Sequence, residues 1–140
     1  MTDAEHEVIR LHQVIEGWLT GAADRADFGP FAGALAPDFT LVGPDGVAMA
    51  QKEVLAWVEG SHGSAPDLRI TIRDVRVVAD SGDLVVATYE EWHGTAPGAP
   101  APPPDARGRR ATVVFRRGAG LDWLHLHETW VAAPPSAGTG

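Results

Sequence analysis

The residues best able to do chemistry lie in two strand-like runs. LDWLHLHETWV, residues 121–131, carries Trp123, His125, His127, Glu128 and Trp130, and DLVVATYEEWH, residues 83–93, carries Glu90, Glu91 and Trp92. An imidazole titrates near neutral pH and a facing carboxylate can fix its tautomer, so a His–Glu pair can accept and return a proton. The chain has no cysteine, which excludes disulfides, thiolate nucleophiles and thiolate metal sites. Chemistry falls to histidines, carboxylates and hydroxyls.

Pairing those residues requires a face for each. Strict alternation puts Trp123, His125, His127 and Thr129 on one side of the last strand and Leu124, Leu126, Glu128 and Trp130 on the other. DLRITIRDVRVVAD, residues 67–80, precedes the second run, with Ser81-Gly82 read as a two-residue hairpin loop. Ile70 and Ile72 share a face that Val75 and Val77 leave, so an extra residue near Arg73 or Asp74, a β-bulge, is expected to bend the sheet. Counting through one bulge sets Ile70, Ile72, Val75 and Val77 against Trp92, Glu90, Thr88 and Val86. Glu90 then points inward and Glu91 outward. With the His127 face also inward, His127 and Glu90 become the candidate acid–base pair. Trp92, Trp123, Trp18, His125 and Arg110 are the candidate binding residues. His125 and His127 with Glu90 offer at most three metal ligands, and neither metal nor cofactor is expected. Each of these residues also has a purely structural reading, as a buried hydrogen-bonded pair, core aromatics or a surface ion pair.

The elements that must position them can be read in order. Thr2 and Glu5 have capping-box spacing, and Val8, Leu11, Ile15, Trp18 and Ala22 recur at helical steps, which predicts a helix over residues 3–23. Asp27 is expected to cap a short second helix, FTLVG at 39–43 to form a strand, and Pro44-Asp45-Gly46 to turn into a brief strand near 47–49. A third helix is expected from about Ala50 to Glu59. Residues 94–108, GTAPGAPAPPPDARG, read as a mobile loop, an exposed linker or a flap over a pocket. RRATVVFRR from Arg109 and the 121–131 run complete the sheet.

The length of 140 residues suits one domain, expected over 1–131, with a disordered tail over 132–140. The formal charge of −8, with Lys52 the sole lysine, argues against nucleic acid. No basic-then-apolar leader or membrane-length apolar run occurs, so no membrane partner and a cytoplasmic location are expected. Because the last strand is apolar on both faces, a homodimer through the sheet is expected.

This order of elements, with LAPDFTLVGPDG at 35–46 and RATVVFRRGAGLDWLHLHETW at 110–130, resembles the nuclear-transport-factor-2-like superfamily and its SnoaL-like branches. That superfamily includes ketosteroid isomerases and SnoaL-type cyclases. The resemblance implies an α+β cone, a curved antiparallel sheet with three N-terminal helices on its concave face and a ligand pocket inside. It aligns His127 with a histidine common in the final strand, and Arg110 and Thr112 with polar positions of the penultimate one. The isomerases' aspartate before the proline of the first turn is Gly43 here, and Tyr89, the sole tyrosine, lies on a strand, so the usual isomerase chemistry is disfavoured. Asp38 and Asp45 read as turn formers. The resemblance implies an apolar-pocket protein binding a small apolar molecule, with isomerase-, cyclase- or hydrolase-type acid–base chemistry, or else a noncatalytic dimerising or protein-binding domain.

Overall fold

The computed structural model describes residues 1–96 and 108–131. In chain order these form α1 (Asp3–Thr20), α2 (Gly29–Ala32), β1 (Leu35–Val42), β2 (Ala48–Ala50), α3 (Gln51–Glu59), β3 (Leu68–Asp80), β4 (Leu84–Thr95), β5 (Gly108–Arg117) and β6 (Leu121–Trp130). The expected tail lies outside the described residues, as does the expected loop between Ala96 and Gly108.

Thr2 Oγ1 accepts from the Glu5 amide at 3.1 Å and starts α1. The helix stops three residues before the expected position because Gly21 adopts φ 83°, its amide donating to Trp18 O and that of Ala23 to Gly17 O. Phe28, not Asp27, occupies the cap position of α2. At α3 the Glu53 carboxylate reaches back to the Ala50 amide at 3.2 Å.

The six strands form one curled, open sheet ordered β2-β1-β6-β5-β4-β3. Neighbours are antiparallel except β1 and β6, which run parallel. Strand β1 begins at Leu35, earlier than expected, because Pro37 is tolerated beside a register shift in its pairing with β6. One face of β4 to β6 carries Val85, Ala87, Val113, Phe115 and Trp123, all buried with Val8 and Leu11 of α1 and Val54 of α3. Burying a side chain of this size contributes about 1.5–3 kcal/mol, so this face decides which way the sheet turns.

Two bulges set the register of β3 against β4. The expected one is present between Arg73 and Arg76, where Asp74 takes φ 57°. The connection, however, spans four residues, with Asp80 paired to Val85 and the Ser81 amide donating to Leu84 O at 2.9 Å. A second shift between Val77 and Ala79 takes back one of the two added residues. The net slip is one residue, and in a strand that exchanges faces. Ile72 therefore meets Glu91 and Ile70 meets His93, so Glu91 points inward and Glu90 outward, the reverse of the expectation. In β6 a shift leaves Leu124 without a partner, since Val114 pairs with His125 and Phe115 with Trp123. Trp123 consequently shares the inner face with Leu126 and Glu128, whereas His125 and His127 turn to the opposite face, which is uncovered among the described residues.

Candidate functional site

Between the sheet and the helices lies a cavity of about 330 Å³. Leu11 and Ile15 of α1, Phe31 of α2, Leu41 of β1, Val54 of α3 and Leu126 of β6 supply apolar wall, and Trp123 closes one side. Trp57, 62% exposed, also borders the space and marks where it opens to solvent. Into this apolar chamber the sheet and α1 deliver five ionisable side chains: His12, Glu91, His93, Arg109 and Glu128.

His12 lies on the apolar stripe of α1, one turn after Val8. Its Nδ1 is 2.7 Å from Val8 O and its Nε2 3.0 Å from Glu91 Oε1. A carbonyl and a carboxylate both accept, so both ring nitrogens are placed to donate, the state of an imidazolium. Burial opposes that charge, but Glu91 and the Val8 carbonyl outweigh it and raise the His12 pKa. The other Glu91 oxygen meets His93 Nε2 at 2.6 Å. Burial would push the Glu91 carboxyl up, but His12, His93 and Arg109 together hold it below the usual carboxylate range.

Glu128 has the opposite fate. Burial first, and then the charge of Glu91, raise its pKa to about 7, against the weaker pull of Arg109, His12 and His93. Its nearest cation is Arg109 Nη1, 3.6 Å away and beyond hydrogen-bond distance. The cluster thus pairs one firmly ionised carboxylate with one that changes state near neutrality, the separation by which an acid and a base are made from like groups. Tyr89, buried beside His12 with ring centroids 5.4 Å apart, has a hydroxyl without a partner among the described residues, and burial with the two carboxylates raises its pKa well above the usual value.

The sequence-derived candidates are distributed differently from the expectation. Glu90 accepts from Trp92 Nε1 at 3.0 Å and from Arg110 Nη1 at 3.1 Å, all on the uncovered face. His127 is exposed opposite Thr112 and Val42, and His125 shares a 2.7 Å hydrogen bond with Thr40 Oγ1 on that same face. His127 and Glu90 are therefore not brought together in the cavity, and Trp92 is not among its walls. Arg110, expected to bind ligand, instead forms an ion pair with Glu90 at 3.1 Å, and Arg109 is the arginine that faces Glu128. Trp18 is buried away from the cavity, donating to Val58 O at 2.7 Å and packing on Phe28 and His62. Of the candidates, Trp123 alone lines the space, 1% exposed, with Nε1 donating to Glu7 Oε2 at 2.9 Å. His12 carried the signal that sequence reading passed over: an imidazole on the helical stripe of Val8, Leu11 and Ile15. Among the described residues no group of three acidic or histidine side chains is placed to hold a metal ion, and no helix is long and apolar enough to cross a membrane.

An apolar chamber inside a curled sheet capped by helices defines a nuclear-transport-factor-2-like fold, and residues 15–126 match the SnoaL-like domain family, to which the chain belongs. That family includes isomerases, cyclases and noncatalytic members. Among solved structures, an NTF-2-like protein of unknown function from Pseudomonas aeruginosa is 27% identical with a TM-score of 0.83, covering 94% of this chain and 100% of that one. ActVI-ORFA from Streptomyces coelicolor is 21% identical with a TM-score of 0.65, over 92% and 98% of the two chains, a likeness of fold. An NTF2-like protein of unknown function from Pseudomonas putida is 25% identical with a TM-score of 0.59, over 99% and 93%. No curated protein matches the chain.

Proposed function

We propose that this SnoaL-like domain binds a small, largely apolar molecule in the cavity and transfers a proton to or from it through Glu128. The observation that carries the reading is the buried ionisable cluster set into apolar walls: Glu128 changes state near pH 7 while His12 and His93 hold Glu91 ionised. A carboxyl group with a pKa close to the working pH, in a water-poor site, is suited to general acid–base work. In this reading Glu128 moves the proton that His127 was expected to move, and Glu91 is the inward carboxylate that Glu90 was expected to be. A cytoplasmic location fits this reading.

Uptake of the neutral fluorophore N-phenyl-1-naphthylamine tests the binding half. Saturable uptake is expected in the intact protein, and Leu126→Trp, which fills the chamber, should abolish it while the protein stays folded. Absence of saturable uptake in the intact protein would contradict the reading.

A second reading concerns assembly. Val86 and Val114, paired across β4 and β5, are half-buried on the uncovered face along with Trp92. We propose that this face meets a second copy of the chain, a use that leaves the cavity free. Light scattering at about 50 µM should give a dimer, and a monomer there would remove this reading.

A further inference from the structure

We propose that the cavity takes an amphipathic organic acid, with an aromatic or branched aliphatic body against Leu11, Ile15, Phe31 and Leu41 and a carboxylate received by the guanidinium of Arg109. The inference rests on the cavity reading above and narrows it to a class of ligand. Its basis is a cation with a buried, unmet donor and no carboxylate within hydrogen-bond distance among the described residues. Arg109 lies on the inner face of β5, its side chain 20% exposed, and borders the chamber. Among the described residues its side chain makes no hydrogen bond: Glu128 is 3.6 Å away, the Trp130 ring lies 5.0 Å beneath the guanidinium carbon, and Nε is buried without a partner. Leaving such donors unmet in a buried site is costly, and the planar guanidinium fork matches a carboxylate in two parallel bonds.

Neither resident carboxylate meets that need. Glu91, opposite Arg109 across β4 and β5, has its two oxygens engaged by His12 and His93. Glu128 stays back at 3.6 Å and holds its proton up to about 7, because burial and Glu91 disfavour its charge. The groups facing this corner are His12 from α1, Tyr89, Glu91 and His93 from β4, Arg109 from β5 and Glu128 from β6. With His12 and Arg109 charged, Glu91 ionised and Glu128 protonated, these four groups carry two positive charges against one negative. The remaining walls are hydrocarbon and aromatic, which suits an apolar body and gives a sugar or a polyphosphate few partners.

The test is displacement of bound N-phenyl-1-naphthylamine at pH 6.5 by 4-phenylbutyrate and by its neutral match, 4-phenylbutyramide. The acid is expected to displace at a concentration roughly tenfold or more below the amide, the increment of a charge-assisted contact. Arg109→Gln should bring the two to within about twofold. Glu128→Gln, which removes the rival carboxylate and leaves Arg109 in place, should preserve or enlarge the preference. Equal displacement by acid and amide in the intact protein overturns the carboxylate inference and leaves the cavity reading standing. A preference that persists in folded Arg109→Gln overturns the assignment to Arg109. Failure of the fluorophore to bind overturns the cavity reading and this inference with it. Should Arg109→Gln not fold, loss of the preference in Glu128→Gln is the overturning result.

Discussion

His12 Nε2 lies 3.0 Å from Glu91 Oε1, joining the middle of the first helix to the inner face of β4 across 79 residues of sequence. Both partners are almost fully buried, with side-chain exposures of 5% and 7%. Removing His12 takes one of two imidazole partners from the buried Glu91 carboxylate and leaves only His93 on it, a loss that approaches the cost of breaking a buried pair, about 3–5 kcal/mol. His12→Ala is therefore expected to lose stability on that scale in urea unfolding. The double variant His12→Leu with Glu91→Leu should recover part of the loss, because it removes both members of the buried pair and fills their place with hydrocarbon. A loss below about 1 kcal/mol in the single variant would mean that water reaches the pair.

The pKa shifts give stability a definite dependence on pH. His12 has a raised pKa in the folded state, so its contribution is full below its unfolded value of about 6.5 and is lost as pH rises through the folded one. Glu128 is also raised, to about 7 from 4.5, so stability falls across that window while the unfolded chain releases a proton that the folded protein keeps. Glu91 has a lowered pKa, so its contribution is present above 4.5 and is lost as pH falls further. Thermal melting should show a maximum between about pH 4.5 and 6.5, and a maximum above pH 8 would contradict these assignments.

Glu128→Gln isolates one of those effects. The amide keeps the shape and cannot ionise, so it removes the cost of holding a buried carboxylate, up to about 3 kcal/mol above pH 7. The variant should be more stable than the parent at pH 8 and close to it at pH 5. Equal stability at both values would mean that Glu128 titrates as an ordinary carboxylate.

His127→Ala should change the stability of the single chain by no more than about 0.5 kcal/mol, because within it the side chain is exposed on the face away from the cavity. Fluorophore uptake should be unchanged. Weaker uptake in this variant would bring back the sequence-based assignment of His127.

The fold was readable because it rests on periodicity: the stripe of Val8, Leu11, Ile15 and Trp18, the alternation in β4 and β5, and the bulge near Asp74 each leave a pattern in the residues. The site was less readable because it depends on parity. One extra slip at Val78, a four-residue connection where two were counted, and an unpaired Leu124 in β6 exchange the inner and outer faces of the residues that matter. Glu91 therefore took the place of Glu90, and Glu128 that of His127. Trp123 was reached only because the bulge at Leu124 restores it to the inner face. His12 required a different kind of reading, since its partner lies 79 residues away and nothing local marks a helix histidine as the mate of a strand carboxylate.

The chemical claim is tested most directly by the ring opening of 5-nitrobenzisoxazole, an apolar molecule that absorbs visibly after losing one proton to a base. In the intact protein the rate above buffer should rise with pH through about 7 as Glu128 ionises, and 4-phenylbutyrate should inhibit it. Glu128→Gln should abolish the increment while fluorophore uptake persists. A rate equal to buffer at pH 8, or one that Glu128→Gln leaves intact, would contradict the assignment of proton transfer to this cavity.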